Sequence, residues 1–447
     1  MKHTNHTGKN TIVRFFTVLF LLLTINVLGE EKSFTIEYAV QTALVKNERS
    51  EIANESLKAA RARLLKAKSV FIPSITATGT YTRRPYEVTR EINGQTIVVQ
   101  SLNALGGNIN LNWTLFDSRS IPVFRQLKYE EKSQMFTSME ARRALAFEVC
   151  NAYLVTMGAQ NMVKAARQRF ELAAKNLDAS RARYQAQLVS INDVTRSELE
   201  YATAEQNMTR ATGDAQNALL ELEYLVGEKI DGQLVNPTQL LTEAETPPSE
   251  PGILIPQAHE QRFDIKALQW HFKAQSAYAS EPLLRLIPSL SMVGQYRMTN
   301  EAGLTGKNTN WSMGLSMSWT IFDGMIRIGD YKERKALAKI AELDTKAASR
   351  KLEVDVKNAL VSLANQQATL KQSTVALDVA RKNAQETSEL FRQGLTGALE
   401  AADAIVRLYE AEVENIREQY GLAIAYLNLR LAMGQNPFGN DLPRNNQ

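Results

Sequence analysis

The sequence predicts a mixed architecture: long coiled-coil helices joined to β-strands of the membrane-barrel kind, in one unit built twice. Three observations carry this reading. Four segments alternate strictly between apolar and polar residues, long proline-poor stretches carry a helical period, and the same order of features recurs about 207 residues later.

The first 29 of the 447 residues stand apart. Lys2, Lys9 and Arg14 form a positive segment, Phe15 to Leu28 is apolar, and Gly29 follows, which is the layout of a secretory signal peptide cut near that glycine. An uncleaved anchor is the alternative, although the apolar run is short for a bilayer span of about 20 residues. Without this segment the chain carries 49 basic and 48 acidic residues, so its charge gives no case for nucleic acid. Cys150 is the single cysteine, so no intrachain disulfide forms, and a small buried helix residue is its simplest reading. His259 and His271 are the only histidines after the signal and cannot build a three-histidine metal centre. No cofactor or metal site is expected, and no catalytic constellation stands out.

The first repeat is placed at 30–236 and the second at 257–434, with a Pro-rich, irregular connector at 237–256 and a tail at 435–447. Phe71-Ile-Pro-Ser-Ile matches Leu286-Ile-Pro-Ser-Leu, and Gly79 and Tyr81 match Gly294 and Tyr296. Trp113-Thr-Leu-Phe-Asp117 matches Trp319-Thr-Ile-Phe-Asp323. Leu188, Asp193 and Gly227 match Leu395, Glu400 and Gly434.

Each repeat opens with a helical stretch, about 35 residues long from Phe34 in the first copy, which an Ile-Pro pair stops. Strands are then expected at about 73–90 and 96–116, and at about 288–300 and 310–322. Ile109, Leu111, Trp113 and Leu115 oppose Asn108, Asn110, Asn112 and Thr114. Trp311, Met313, Leu315, Met317 and Trp319 oppose a row of Ser, Gly and Thr. Asn93-Gly94 and the Gly-rich stretch 303–306 read as turns between strands. Helical hairpins at 118–227 and 324–434 follow, with Asp117 and Asp323 placed to N-cap them and Pro122 in the first turn. In the second, Leu352, Val356, Ala359, Leu360 and Leu363 make one stripe. About 70 helical residues make a rod of roughly 105 Å.

A soluble sandwich would also alternate, burying its apolar faces against each other. The secretory signal, the strand lengths and the tryptophans near strand ends favour an outer-membrane barrel instead. Four strands cannot close a hollow barrel, and an open edge in lipid is prohibitive, so other subunits must complete the sheet. Three copies would give twelve strands.

In this layout of Ile-Pro-Ser strand starts, Trp-x-aliphatic-Phe-Asp corners and duplicated long helices, the chain resembles the TolC-type outer-membrane factors of tripartite efflux and type I secretion. The resemblance covers nearly the whole chain after the signal. It implies a homotrimer with one shared twelve-stranded barrel in outer-membrane lipid and an α-helical tunnel in the periplasm. It implies two partners, a periplasmic adaptor and an inner-membrane transporter, and a passive conduit rather than an enzyme. A coiled-coil envelope protein with a structural or adhesive role is the rival, and strand alternation is the feature such a spacer would not need.

The resemblance also places sites. Phe391 to Ala404 is similar to a tunnel-tip turn, with Gly394 at its glycine; Glu400 and Asp403 fall where acids line the periplasmic aperture. Asp193 is the matching acid of the first copy, where Gln187 replaces the glycine and leaves the turn geometry open. Gln187, Leu188, Gly394 and Leu395 are the candidates for adaptor docking. The family's closing latch uses a tyrosine and an arginine near this turn; Phe391 and Thr396 stand there and cannot make the same polar links. Trp113, Trp319, Trp311, Tyr81 and Tyr296 are the expected lipid-interface aromatics.

Overall fold

The computed structural model describes residues 33–92, 94–301 and 307–439. The expected signal at 1–29, Asn93, the turn at 303–306 and most of the tail lie outside the described residues.

The opening helical stretch is two helices, α1 (Ile36–Lys46) and α2 (Glu48–Lys68), divided at Asn47. Asn47 has extended backbone, and its side-chain oxygen accepts from Arg49 N at 2.9 Å, the N-cap bond that starts α2. Its amide also donates to Leu225 O at 2.9 Å, which fixes the break against a later helix. A 3₁₀ turn, Ser69–Phe71, ends α2 before Ile72-Pro73.

The first strand pair differs from expectation. Segments 73–90 and 96–116 are not single strands: β1 (Ser74–Arg83) and β4 (Asn103–Phe116) enter the main sheet, while β2 (Val88–Ile92) and β3 (Gln95–Gln100) form a separate ribbon. Pro85 lacks the N–H a ladder needs, so β1 ends just before it. Gly94, at φ +77°, turns the ribbon.

Two long helices complete the first copy, α3 (Ser120–Gln185) and α4 (Ile191–Val226). The connector is not irregular as expected. It contains α5 (Thr238–Glu245) and the first part of α6 (Pro251–Gln261). Pro251 sits in the first turn, where its missing N–H would be unpaired anyway. Leu240, Leu241 and Ala244 of α5 and Leu254 and Ala258 of α6 are buried against the long helices. Tertiary burial therefore sustains helices that Pro-rich composition argued against.

The second copy continues with α7 (Phe263–Tyr278), a single turn α8 (Glu281–Leu284), β5 (Ser289–Thr299) and β6 (Thr309–Ser318). It closes with α9 (Ile326–Gln393) and α10 (Ala398–Met433). No described helix is long and apolar enough to cross a membrane.

Asp117 and Asp323 do not occupy the N-cap positions expected of them; Arg119 and Met325 do, because two further residues intervene before each first helical turn. Each carboxylate still ties its helix down. Asp117 accepts from Arg119 N at 3.0 Å and from its guanidinium at 2.8 Å; Asp323 accepts from Arg327 N at 3.2 Å and Nε at 2.9 Å.

One core gathers around α1 and the middle of α3, where Cys150 and Tyr153 are fully buried. The Tyr153 hydroxyl lies 2.6 Å from Phe34 O and 2.8 Å from Val235 O, and the hydroxyl is the donor toward both carbonyls. Burial pushes the Cys150 thiol well above its ordinary range, so it is an inert packing residue. The second core holds the predicted α9 stripe: Leu352, Val356, Leu360 and Leu363 are buried against Leu422, Ala425 and Leu429 of α10.

Candidate functional site

The main sheet has the antiparallel order β1-β4-β5-β6. Its register decides where side chains lie, because facing partners share a side. Ile75 faces Leu111, Leu111 faces Gly294, Trp113 faces Met292, and Met292 faces Leu315. Ile109 faces Tyr296, and Tyr296 faces Trp311. Every strand thus contributes its apolar row to one side, while Thr76, Thr78, Asn108, Asn110, Ser291 and Ser316 occupy the other. The apolar row of β6 is exposed, with Leu315 at 68 %. Nothing among the described residues covers it.

The predicted interface aromatics fall at two levels. Tyr81, Tyr296 and Trp311 lie toward the loop end of the strands, and Trp113 and Trp319 at the helix end. The eight-residue step from Trp311 to Trp319 is about 27 Å along the strand, or about 21 Å of height at a tilt near 40°. Trp113 Nε1 donates to Phe71 O at 3.1 Å, and Trp319 Nε1 to Leu286 O at 3.0 Å. These are corresponding atoms of the two copies. The repeated pentapeptide is therefore a corner bracket that pins the end of one strand to the start of its neighbour.

The two hairpin turns lie at the opposite end of α3 and α9, about 100 Å along the helices, and the structure brings them together. Gln187 has φ +57° and Gly394 φ +80°, both left-handed. Leu188 N bonds Arg183 O and Leu395 N bonds Leu390 O, each at 2.9 Å, so both helices end in the same motif. Gln187 thus adopts the glycine conformation without being glycine, at a strain of about 1 kcal/mol. Leu188 is 75 % and Leu395 71 % exposed, a pair of apolar knobs at the tips.

The three acids differ in surroundings. The Asp193 carboxylate closes a capping box on Ser190, accepting from its N–H at 3.1 Å and hydroxyl at 2.9 Å. Gly397 replaces that serine in the second copy, so Glu400 has no capping hydroxyl and is exposed. Asp403 is exposed and accepts from Arg407 Nε at 2.8 Å.

Sequence reasoning missed Arg183. Its Nη2 donates to the carbonyls of Phe391 and, at 3.0 Å, Arg392, and its guanidinium stacks 4.6 Å from the Phe391 ring centroid. Phe391 is buried among Ala398, Ala401 and Ala179, so one aromatic residue joins both hairpins. A basic residue in the last helical turn was the available signal, but its partners are backbone carbonyls from 208 residues away and leave no trace in side-chain chemistry. His271 Nδ1 lies 3.3 Å from Glu130, which raises its pKa, and no group of residues fit to hold a metal occurs among the described residues.

The family model described as outer membrane efflux protein matches residues 39–228 and again 254–435. The chain belongs to that family. It is a TolC-type outer-membrane factor, and its place is the outer membrane. Among its relatives, outer membrane protein TolC of Vibrio cholerae is 21 % identical over 376 residues, covering 82 % of this chain and 83 % of TolC. The probable efflux pump outer membrane protein TtgC of Pseudomonas putida is 22 % identical over 415 residues, covering 89 % and 82 %. Among solved structures, the Campylobacter jejuni CmeC outer membrane channel aligns with a TM-score of 0.74 at 16 % identity, covering 89 % of this chain and 85 % of CmeC. VceC of Vibrio cholerae aligns at 0.74 and 15 %, covering 90 % and 96 %. At these identities the structural likeness concerns the fold.

Proposed function

We propose that this outer-membrane factor is the exit duct of a tripartite efflux or type I secretion system, formed when three copies close one twelve-stranded barrel above an α-helical periplasmic tunnel. The observation that carries this reading is the sheet: four strands, one apolar face between two aromatic levels, and free edges at β1 and β6. In lipid each unpaired edge group is costly, so β6 of one copy pairs with β1 of the next. The Thr, Asn and Ser face then lines a polar lumen.

The duct is passive. Energy comes from an inner-membrane transporter, and a periplasmic adaptor meets the hairpin tips, where Leu188 and Leu395 offer apolar contacts beside Gln187 and Gly394. Around a threefold axis Glu400 and Asp403 become rings of carboxylates that favour cations. Asp403 shares its charge with Arg407, so Glu400 supplies the larger part, and Asp193 serves chiefly to cap its helix.

The purified protein is expected to run as a heat-sensitive trimer and to open ion-conducting channels in planar bilayers. A monomer that inserts nowhere overturns the reading. Glu400→Gln with Asp403→Asn is expected to lower cation preference, and unchanged reversal potentials would remove both acids from the aperture.

A further inference from the structure

The two repeats pair their strands in one register. Ser74 faces Asn112 and Arg83 faces Asn103 between β1 and β4; their counterparts, Ser289 with Ser318 and Met298 with Thr309, face each other between β5 and β6. The sheet is therefore one hairpin used twice, and β4 against β5 is the joint between hairpins. In that joint Leu111 faces Gly294, Trp113 faces Met292, Thr114 faces Ser291 and, past a bulge, Phe116 faces Leu290. The two hairpins end differently. β4 passes Asn112, the last residue that β1 holds, and remains a strand to Phe116 because β5 pairs with it. β6 stops at Ser318, the counterpart of Asn112, although Trp319 to Phe322 nearly repeat the sequence of Trp113 to Phe116. The second corner lacks a neighbour in the place that β5 takes beside β4. Ile321 and Phe322 are left 73 % and 77 % exposed. A Cβ on Gly294 would meet Leu111 at 3.3 Å, whereas nothing lies within 4 Å of one on its counterpart Gly79.

We propose that β1 of the next copy is that neighbour, and that it pairs with β6 in the register of β4 with β5. The inference rests on the trimeric duct proposed above and fixes which residues meet in it. Against the next copy, Met317 lies over its Gly79, Trp319 faces its Ala77, Thr320 its Thr76 and, past a bulge at Ile321, Phe322 its Ile75. Residues 319–322 thus become strand only on assembly. The backbone agrees with this register. Arg84 N donates to Leu102 O and Thr299 N to Asn308 O, each at 2.8 Å, so even-numbered residues turn their backbone groups inward, from β1 to β4 and from β6 to β5. Odd-numbered residues present theirs at both free edges, and Met317 with Gly79 and Trp319 with Ala77 are odd on both sides. A slip of one residue would set apolar rows against polar ones and lose these bonds. A slip of two keeps both, so the experiment must separate it.

The test uses the full chain with Cys150→Ala, assembled in phospholipid vesicles and oxidised with copper phenanthroline. Ser316 and Thr80 of the next copy, the counterparts of Asn110 and Gln295, form a pair without backbone bonds. Cα atoms of such a pair lie about 4.5 Å apart, within disulfide reach, whereas Thr78 and Thr82 lie about 7–8 Å from Ser316. Thr80→Cys with Ser316→Cys is expected to give a reducible covalent trimer that survives boiling, at about ten times the yield of Thr78→Cys or Thr82→Cys with Ser316→Cys. Each variant is first run unoxidised and unheated, which reports the trimer without the register. A heat-sensitive trimer that cross-links best through Thr78 or Thr82, or through none of the three, overturns the register and leaves the duct standing. Absence of a trimer in the unsubstituted chain overturns both. Amide exchange on the unsubstituted trimer needs no variant: 319–322 should be protected as 113–116 are, and exchange about tenfold faster at 319–322 refutes ordering on assembly.

Discussion

Leu315 is the midpoint of the apolar row that runs from Trp311 to Trp319, about 13 Å along the strand from either tryptophan. If that row faces lipid, Leu315 sits at the bilayer midplane. Leu315→Arg then costs about 2–4 kcal/mol per copy, the penalty for a cation at mid-depth on the lipid face of a barrel. Three copies sharing one barrel would multiply it to about 6–12 kcal/mol, enough to prevent assembly of a marginally stable protein. Ser316→Arg, one residue on, points to the opposite face and should shift stability by no more than about 0.5 kcal/mol. The pair controls for strand propensity and for added charge. The assay is refolding into phospholipid vesicles followed by urea titration, with heat-sensitive trimer yield as a second readout. A soluble sheet that simply exposes Leu315 would tolerate both changes alike. Equal behaviour of the two variants therefore refutes the lipid-facing assignment.

Arg183→Ala removes two charge-assisted bonds to the carbonyls of Phe391 and Arg392 and a cation–π contact, together about 2 kcal/mol at this half-buried site. Amide exchange in 388–395 should accelerate by about 30-fold, while exchange near Tyr153 stays unchanged; an unaltered tip would show that the clasp bears no energy. Gly394→Ala puts a Cβ at φ +80° and should destabilise by about 1 kcal/mol, whereas Gln187→Gly relieves strain and should be neutral or stabilising in denaturant titration. Burial opposes ionisation of Glu281, but the guanidiniums of Arg285 and Arg334 outweigh it and hold its pKa below the ordinary 4.5. Its folded-state pKa is depressed, so its contribution is complete above about pH 4.5 and fades as pH falls through the lower folded value. Glu281→Gln should lower stability at pH 7 and flatten the acid-induced loss; an unchanged pH profile would place that loss elsewhere.

Much of this molecule was legible in the sequence, and the reason is local. Period-two alternation, a proline that cannot continue a helix and a glycine fit for a left-handed turn are dictated by a few neighbouring atoms. They marked the alternating segments of β1, β4, β5 and β6, the two long hairpins and the tip turns, while β1 ends at Arg83 and β4 begins at Asn103, each about seven residues short of the span expected. Duplication then reinforced each weak motif, because Trp113 and Trp319 gain meaning from recurring in the same order. Where local rules misled, tertiary burial had intervened. Leu240, Leu241 and Leu254 turned a Pro-rich connector helical by finding a core, and Asn47 broke a helix because Leu225 offered its carbonyl.

Other features had no sequence signature. Arg183 meets Phe391 across 208 positions, and a backbone carbonyl can be supplied by any residue type. Arg119, Arg285 and Arg327 meet where the sheet joins the helices from three separate parts of the chain, and only the folded chain shows Arg327 with one nitrogen unpaired. By itself the sequence determined the elements and their amphipathic faces, since these follow from chain geometry and from side chains a few residues apart. The tertiary structure decided register, the clasp between the tips and the charge arrangement at the junction, because each depends on atoms that only folding brings within hydrogen-bonding distance.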